Sequence, residues 1–223
     1  MPKLVDLVTG VYRDLADESK EVFSTVQVED FIRGGIADLN RAAPMDTVEE
    51  IELVTDPDTG AVTQWAYNIA IELPYRVEVR RKSDGWIRSI TDPDDSNTGI
   101  GGFTFRRTAD GGTIEFPQWW LSSFPADAYL IRVFGYAPRP LPVTVAGEDT
   151  MVSLSGEEEY AVRAYARQQG FDLLTHDRAL FAQWQGQTNN SDVSPTQMMQ
   201  MAGAAKQEWD RQRGLIRVVR RYW

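Results

Sequence analysis

Three times in this chain a serine stands three residues ahead of a Glu or Gln, at the head of an apolar run with helical spacing. The pairs are Ser24–Gln27, Ser155–Glu158 and Ser194–Gln197. Each serine hydroxyl can accept from the amide three residues on, while the longer side chain reaches back to the serine amide. These pairs predict three helix starts, one near the beginning of the chain and two near its end. Pro195 fits the first helical position, where its missing amide costs nothing. Helices at both ends must therefore be reconciled with whatever lies between.

Ahead of the first pair, Leu4, Leu7, Val8, Val11 and Leu15 recur at helical spacing and predict an amphipathic helix over residues 3–16. The helix after Ser24 runs to about Arg41, with Val28, Phe31, Ile32, Ile36 and Leu39 on one face. Gly34-Gly35 interrupts it at about 1 kcal/mol per glycine, which marks a kink or a close approach of another helix. From Pro44 the texture changes to alternation punctuated by turns. Strands are expected at 50–54, 61–73, 75–80, 86–90, 103–105, 113–116 and 129–136, with hairpin turns at Ser83-Asp84-Gly85 and Ala109-Asp110-Gly111-Gly112. Pro138, Pro140 and Pro142 read as a stiff connector back to helix. The last helix carries Met198, Met201, Ala202, Ala205 and Trp209 on one face and is expected to stop at Gly214.

The fold class that follows is α+β. A helical bundle forms from the two chain ends, with an antiparallel sandwich or barrel-like module inserted and an extended tail behind. The expected divisions are 1–44 and 151–214 for the helices, 45–150 for the β module and 215–223 for the tail. That tail, Leu215-Ile216-Arg217-Val218-Val219-Arg220-Arg221-Tyr222-Trp223, is β-branched, basic and aromatic. It reads either as an edge strand of its own sheet or as a strand lent to a neighbouring chain.

Composition narrows the chemistry. A formal charge of −10 in 223 residues argues against nucleic-acid or anionic-membrane binding by the whole protein. With no cysteine, disulfides and thiolate metal sites are excluded. Met1-Pro2-Lys3 leads straight into the amphipathic pattern, so neither a secretion signal nor a membrane span is expected. The expected setting is the cytosol or a particle assembled there. The single histidine, His176, reads as a helix C-terminal cap. Asp92-Pro93-Asp94-Asp95-Ser96-Asn97 gathers oxygen ligands but lacks the spaced glutamate of a calcium loop, and reads as a solvated turn. Gly99-Ile100-Gly101-Gly102 precedes a strand, the wrong context for a dinucleotide site. No nucleophile elbow, phosphate loop or paired carboxylates emerge, so no catalytic, metal or cofactor residue is assigned. Trp119 and Trp120 read as core, as a subunit contact, or as a sugar-stacking platform.

The helical parts resemble a known family. Val11-Tyr12-Arg13-Asp14-Leu15-Ala16-Asp17-Glu18, Phe23-Ser24 and Ile36-Ala37-Asp38-Leu39-Asn40-Arg41-Ala42-Ala43-Pro44 are similar to the opening of head-to-tail adaptor (connector) proteins of tailed phages. Leu154-Ser155-Gly156-Glu157-Glu158-Glu159-Tyr160, Ala164-Tyr165-Ala166, Trp184 and Ser194-Pro195-Thr196 are similar to their ending. The resemblance implies a virion protein assembled in the host cytoplasm and no enzyme. It implies a homo-oligomeric ring, typically of twelve copies, between the portal and the stopper or tail, with genomic DNA passing through unread. Arg217, Val218, Val219, Arg220, Arg221, Tyr222 and Trp223 would dock on the portal, and Gly34, Gly35, Trp119 and Trp120 would meet a neighbouring subunit. The alternatives are another neck component (stopper, tail terminator or short-tail gatekeeper) and a carbohydrate-binding module built on Trp119 and Trp120.

Overall fold

The computed structural model describes residues 1–85, 103–108, 111–143, 150–187 and 191–216, together with the backbone of 87–90. Within them the chain order is α1 (Leu4–Asp14), α2 (Thr25–Ala42), β1 (Met45–Glu52), β2 (Ala66–Ile69), β3 (Leu73–Arg81), β4 (Ile87–Ile90), β5 (Thr104–Thr108) and β6 (Gly111–Glu115). Then follow α3 (Gln118–Leu121), β7 (Tyr129–Ala137), α4 (Gly156–His176), α5 (Arg178–Gln187) and α6 (Pro195–Leu215). Two compact units result. Both chain ends, Met1–Pro44 and Arg139–Trp223, make one, and Met45–Pro138 makes the other. The return to the helical unit thus falls at Arg139, ahead of the expected division at 150.

All three sequence-marked helix starts carry the reciprocal serine contact. The amides of Gln27, Glu158 and Gln197 donate to Ser24, Ser155 and Ser194, and each long side chain accepts from its serine amide. Helix α4 is the centre of the helical unit, touching α1, α2, α5 and α6. Small residues let its neighbours come near: a Cβ on Gly170 would lie 2.5 Å from Leu15. Leu7, Val11, Ile32, Ile36, Ala161, Val162 and Trp209 belong to one apolar cluster that spans both chain ends. At the start of α1, the amides of Leu4 and Val152 donate to Thr150 and Pro2 at 2.9 Å each, lacing residues 2–4 to 150–152.

The loop between α1 and α2 is built around a buried carboxylate. Asp17 accepts from the amides of Glu21, Val22 and Phe23, the last at 2.9 Å, which satisfies donors that the tight loop would otherwise strand. Helix α5 locks this loop from outside: the Trp184 indole donates to the Leu15 carbonyl at 2.9 Å and Gln183 to Glu21 at 2.7 Å. Residues 175–194 are the stretch whose pattern decides least, with Leu180, Phe181 and Trp184 suggesting a short helix; α5 forms there, with Trp184 buried.

Arg139, only 4% exposed, ties the helical unit at both points where the chain leaves and re-enters it. Its Nη1 donates to the Ala43 carbonyl at 2.6 Å, and its backbone exchanges two hydrogen bonds with the Asn40 amide. Its Nε donates to Glu158 at 3.1 Å and its Nη2 makes a shorter contact to the same oxygen. Burial opposes the charge on Glu158, but the Arg139 guanidinium and the Ser155 amide outweigh it and hold the carboxyl below its ordinary range.

In the β unit, one sheet has the order β1-β7-β3-β4 and the other β2-β6-β5, every pairing antiparallel. They share one core, from Ile51, Val77, Val79, Ile131 and Val133 on the first to Tyr67, Ile69 and Ile114 on the second. The α+β class is as expected, and of the two forms expected for the module, sandwich or barrel, the sheets do not close into a barrel. The long strand expected over 61–73 is broken: Val62 bridges to Thr55, β2 joins the smaller sheet, and β3 starts at Leu73 in the larger one. Gly111 cannot carry a side chain, since its φ is +132° and a Cβ would lie 2.2 Å from the Ile69 carbonyl. Gly135 is equally confined, with the Leu73 carbonyl 2.6 Å away.

The Glu158 contacts set an acid limit on the helical unit. A carboxyl held below its unfolded range adds stability above about pH 4, and that stability drains away as pH falls through the lower folded value. Glu158→Gln is expected to cost about 3 kcal/mol at pH 7, by leaving Arg139 buried and unpaired. It is also expected to flatten the fall in stability below pH 4. Urea titrations of both proteins at several pH values check both outcomes.

Candidate functional site

The element on which the sequence places most weight is the end of the chain, and the helix that leads to it is packed against α2 and α4. Gly34 and Gly35 leave room on α2 for Tyr165 of α4: added Cβ atoms would lie 3.2 Å from its ring. Tyr165 in turn meets Trp209 of α6 edge-on, with centroids 5.2 Å apart and planes at 75°. One turn later Arg213 lies 5.7 Å from the Trp209 ring and donates to Asp38 of α2 at 3.0 Å. Burial raises the Tyr165 hydroxyl above its ordinary pKa, and the nearby Asp38 charge adds to this. The last turn of α6 is therefore held by aromatic packing and an ion pair.

The glycine pair receives a correction here. Of its two readings, kink or close approach, the close approach is the one found, and the helix it admits is α4 of the same chain, with Tyr165 and Val162 in the space that the resemblance would give to a neighbouring subunit. The expected stop at Gly214 is also displaced. Gly214 lies inside α6 and lacks a positive φ, and the helix ends at Leu215 with Ile216 as a right-handed cap. Ile216 packs half-buried against the helical core. Leu215 and Ile216 therefore belong to the helix and its cap and not to the expected tail. Arg217, Val218, Val219, Arg220, Arg221, Tyr222 and Trp223 lie outside the described residues, as do Asp92–Asn97 and Gly99–Gly102.

Trp119 and Trp120 are separated by the geometry of α3. Neighbours on a helix point about 100° apart, so one turns in and the other out. Trp120, 2% exposed, stacks on Phe116 at 5.4 Å and meets Phe124 edge-on at 5.2 Å. Its indole nitrogen has no partner among the described residues. Trp119 is 64% exposed. A two-ring sugar platform is thus ruled out by the burial of Trp120, and so is a neighbour contact through that residue. Trp119 alone remains an outward-facing aromatic. His176 ends α4 with Nδ1 donating to the Asp172 carbonyl at 2.7 Å, a cap contact.

The outer face of the larger sheet was not read as a surface from the sequence. Register places Glu50, Arg132 and Glu78 side by side across three strands, with Arg132 Nε 3.3 Å from Glu50. Arg76 lies 3.9 Å over the Phe134 ring. Strict alternation in Tyr75–Arg80 was the available signal, but it does not say which strand lies alongside. Among the described residues, no three His, Asp or Glu side chains gather as a metal cage, and no helix is long and apolar enough to cross a membrane. In comparisons with known proteins, no protein-family model matches the chain, and no curated protein matches it.

The two tryptophans separate stability from surface. Trp120→Ala is expected to cost about 3–5 kcal/mol by opening a core cavity, and Trp119→Ala less than about 0.5 kcal/mol. Thermal or urea unfolding of the two variants decides it.

Proposed function

We propose that this protein is a structural ring component of a tailed-phage neck, a head-to-tail adaptor seated between the portal and the stopper or tail. Residues 217–223 are its coupling element, lent as a strand to a neighbouring polypeptide. The observation that carries this reading is the anchored end of α6. Trp209, Arg213 and Ile216 hold the last turns of α6, immediately ahead in sequence of the basic residues 217–223. A coupling strand needs such a base, because an extended segment on a loose helix would lose affinity to disorder.

Net charge supports the same reading. A wall of charge −10 per copy repels phosphates, which suits a channel through which DNA slides without being gripped. The resemblance in the helical segments supplies the family, and the helical unit built from both chain ends is where those segments lie. The β unit, Met45–Pro138, is an insertion within it. The sugar-binding alternative loses its basis with Trp120 in the core.

Two measurements test the proposal. At concentrations that drive self-association, negative-stain images of the full chain are expected to show annular particles with an open centre. A chain ending at Ile216 is expected to melt within about 3 °C of the full one yet form no annuli. Monomers at every concentration, or annuli undiminished by truncation, would contradict it.

A further inference from the structure

Among the described residues, one edge of the larger sheet pairs with no further strand. Strand β1, with eight residues, pairs with β7 from Met45↔Ala137 to Glu52↔Leu130. Among the described residues, no further backbone-to-backbone hydrogen bond reaches residues 45–52, while the side chains of Asp46 and Glu49 accept from the Tyr75 hydroxyl and the Ala70 amide at 2.8 Å each. A row of free amides and carbonyls invites another strand, and proteins ordinarily blunt such rows with charge. Here the charge has one sign. β1 carries Asp46, Glu49, Glu50 and Glu52, with no lysine or arginine. The Glu50 and Glu52 ion pairs, to Arg132 at 3.3 Å and Lys82 at 3.8 Å, are partly or largely exposed and hold them weakly. Two β1 edges brought together would set acid against acid and repel. A basic strand would be drawn in.

The chain ends in one. Residues 217–223 read Arg-Val-Val-Arg-Arg-Tyr-Trp, with three arginines and no acid. Extended, this segment spans about 23 Å, against about 26 Å for β1, at about 3.3 Å per residue. Alternation would place Arg220 on one face of the tail and Arg217 and Arg221 on the other. β1 also carries acids on both faces, Asp46, Glu50 and Glu52 on one and Glu49 beside Ile51 on the other. The other edges suit the tail less. β2 and β4 have only four residues each, and β5 carries Arg106 and Arg107, of the tail's own sign.

The geometry points to the β1 edge of a second copy as the acceptor of residues 217–223. This deepens the reading of the tail as a lent strand and rests on it. Main-chain bonds would supply affinity, and the opposed charges would select the tail over a second β1. With the tail as donor and β1 as acceptor, each copy can both give and receive. That heterologous contact closes into a ring when its rotation allows. A tail laid on its own β1 would satisfy the edge and couple nothing.

Because the chain has no cysteine, an introduced pair reports the contact directly. Full chains carrying Val48→Cys are mixed, under mild oxidation, with full chains carrying Val218→Cys or Val219→Cys, which face opposite ways on the tail. One mixture is expected to yield the cross-copy disulfide at least fivefold over the other, mapped by mass spectrometry. Adding Arg220→Pro to the tail, which removes a ladder amide, should cut the yield about tenfold. Annuli that form with neither linkage would overturn the β1 acceptor while leaving the ring intact. Chains carrying both cysteines that close on themselves, at a yield independent of concentration, would overturn acceptor and coupling tail together.

Discussion

The buried pair of Arg139 and Glu158 is the constraint on which the helical unit depends. A guanidinium taken out of water demands partners for every donor, and its contacts here join three separate pieces of chain. The Ala43 carbonyl and Asn40 come from the end of α2, Glu158 from the start of α4, and Arg139 itself from the returning segment. Hydrophobic burial supplies most of the stabilisation in this unit, but it is non-directional. The polar knot is directional, and it fixes which ends meet and where the β insertion opens and closes.

From that knot the helical unit reads as a frame for α6. Helix α4 receives α2 through the glycine pair and Tyr165, and it receives α6 through Tyr165 and Trp209. The same ring thus seats two helices, and Arg213 completes the triangle on Asp38. Elsewhere in the unit, Asp17 shapes the loop between α1 and α2, and Arg163 pairs with Asp14 between α4 and α1.

Much of this frame was legible in the sequence because it is local. A cap box needs residues three apart, and all three formed as read. The Ser83-Asp84-Gly85 turn joins β3 to β4 as its composition required, with Gly85 at φ +71°. What escaped was non-local. Arg139, between two prolines, looked like connector, and its partner Asn40 stands 99 residues away. The glycine pair announced a close approach without saying whose helix would fill it. Adjacent tryptophans looked like one feature until a single helical turn sent them opposite ways. The free edge of β1 was hidden for the same reason, since a strand's pattern does not reveal how many neighbours it has.

Hydrogen exchange at single-residue resolution, on dispersed and on assembled protein, tests the central claim most directly. The account expects the amides of residues 217–223 to exchange freely when dispersed. On assembly they should slow at least tenfold, together with alternate amides of β1, while the α6 amides stay slow in both states. Tail amides already slow in dispersed protein, or equally fast in both, would contradict it.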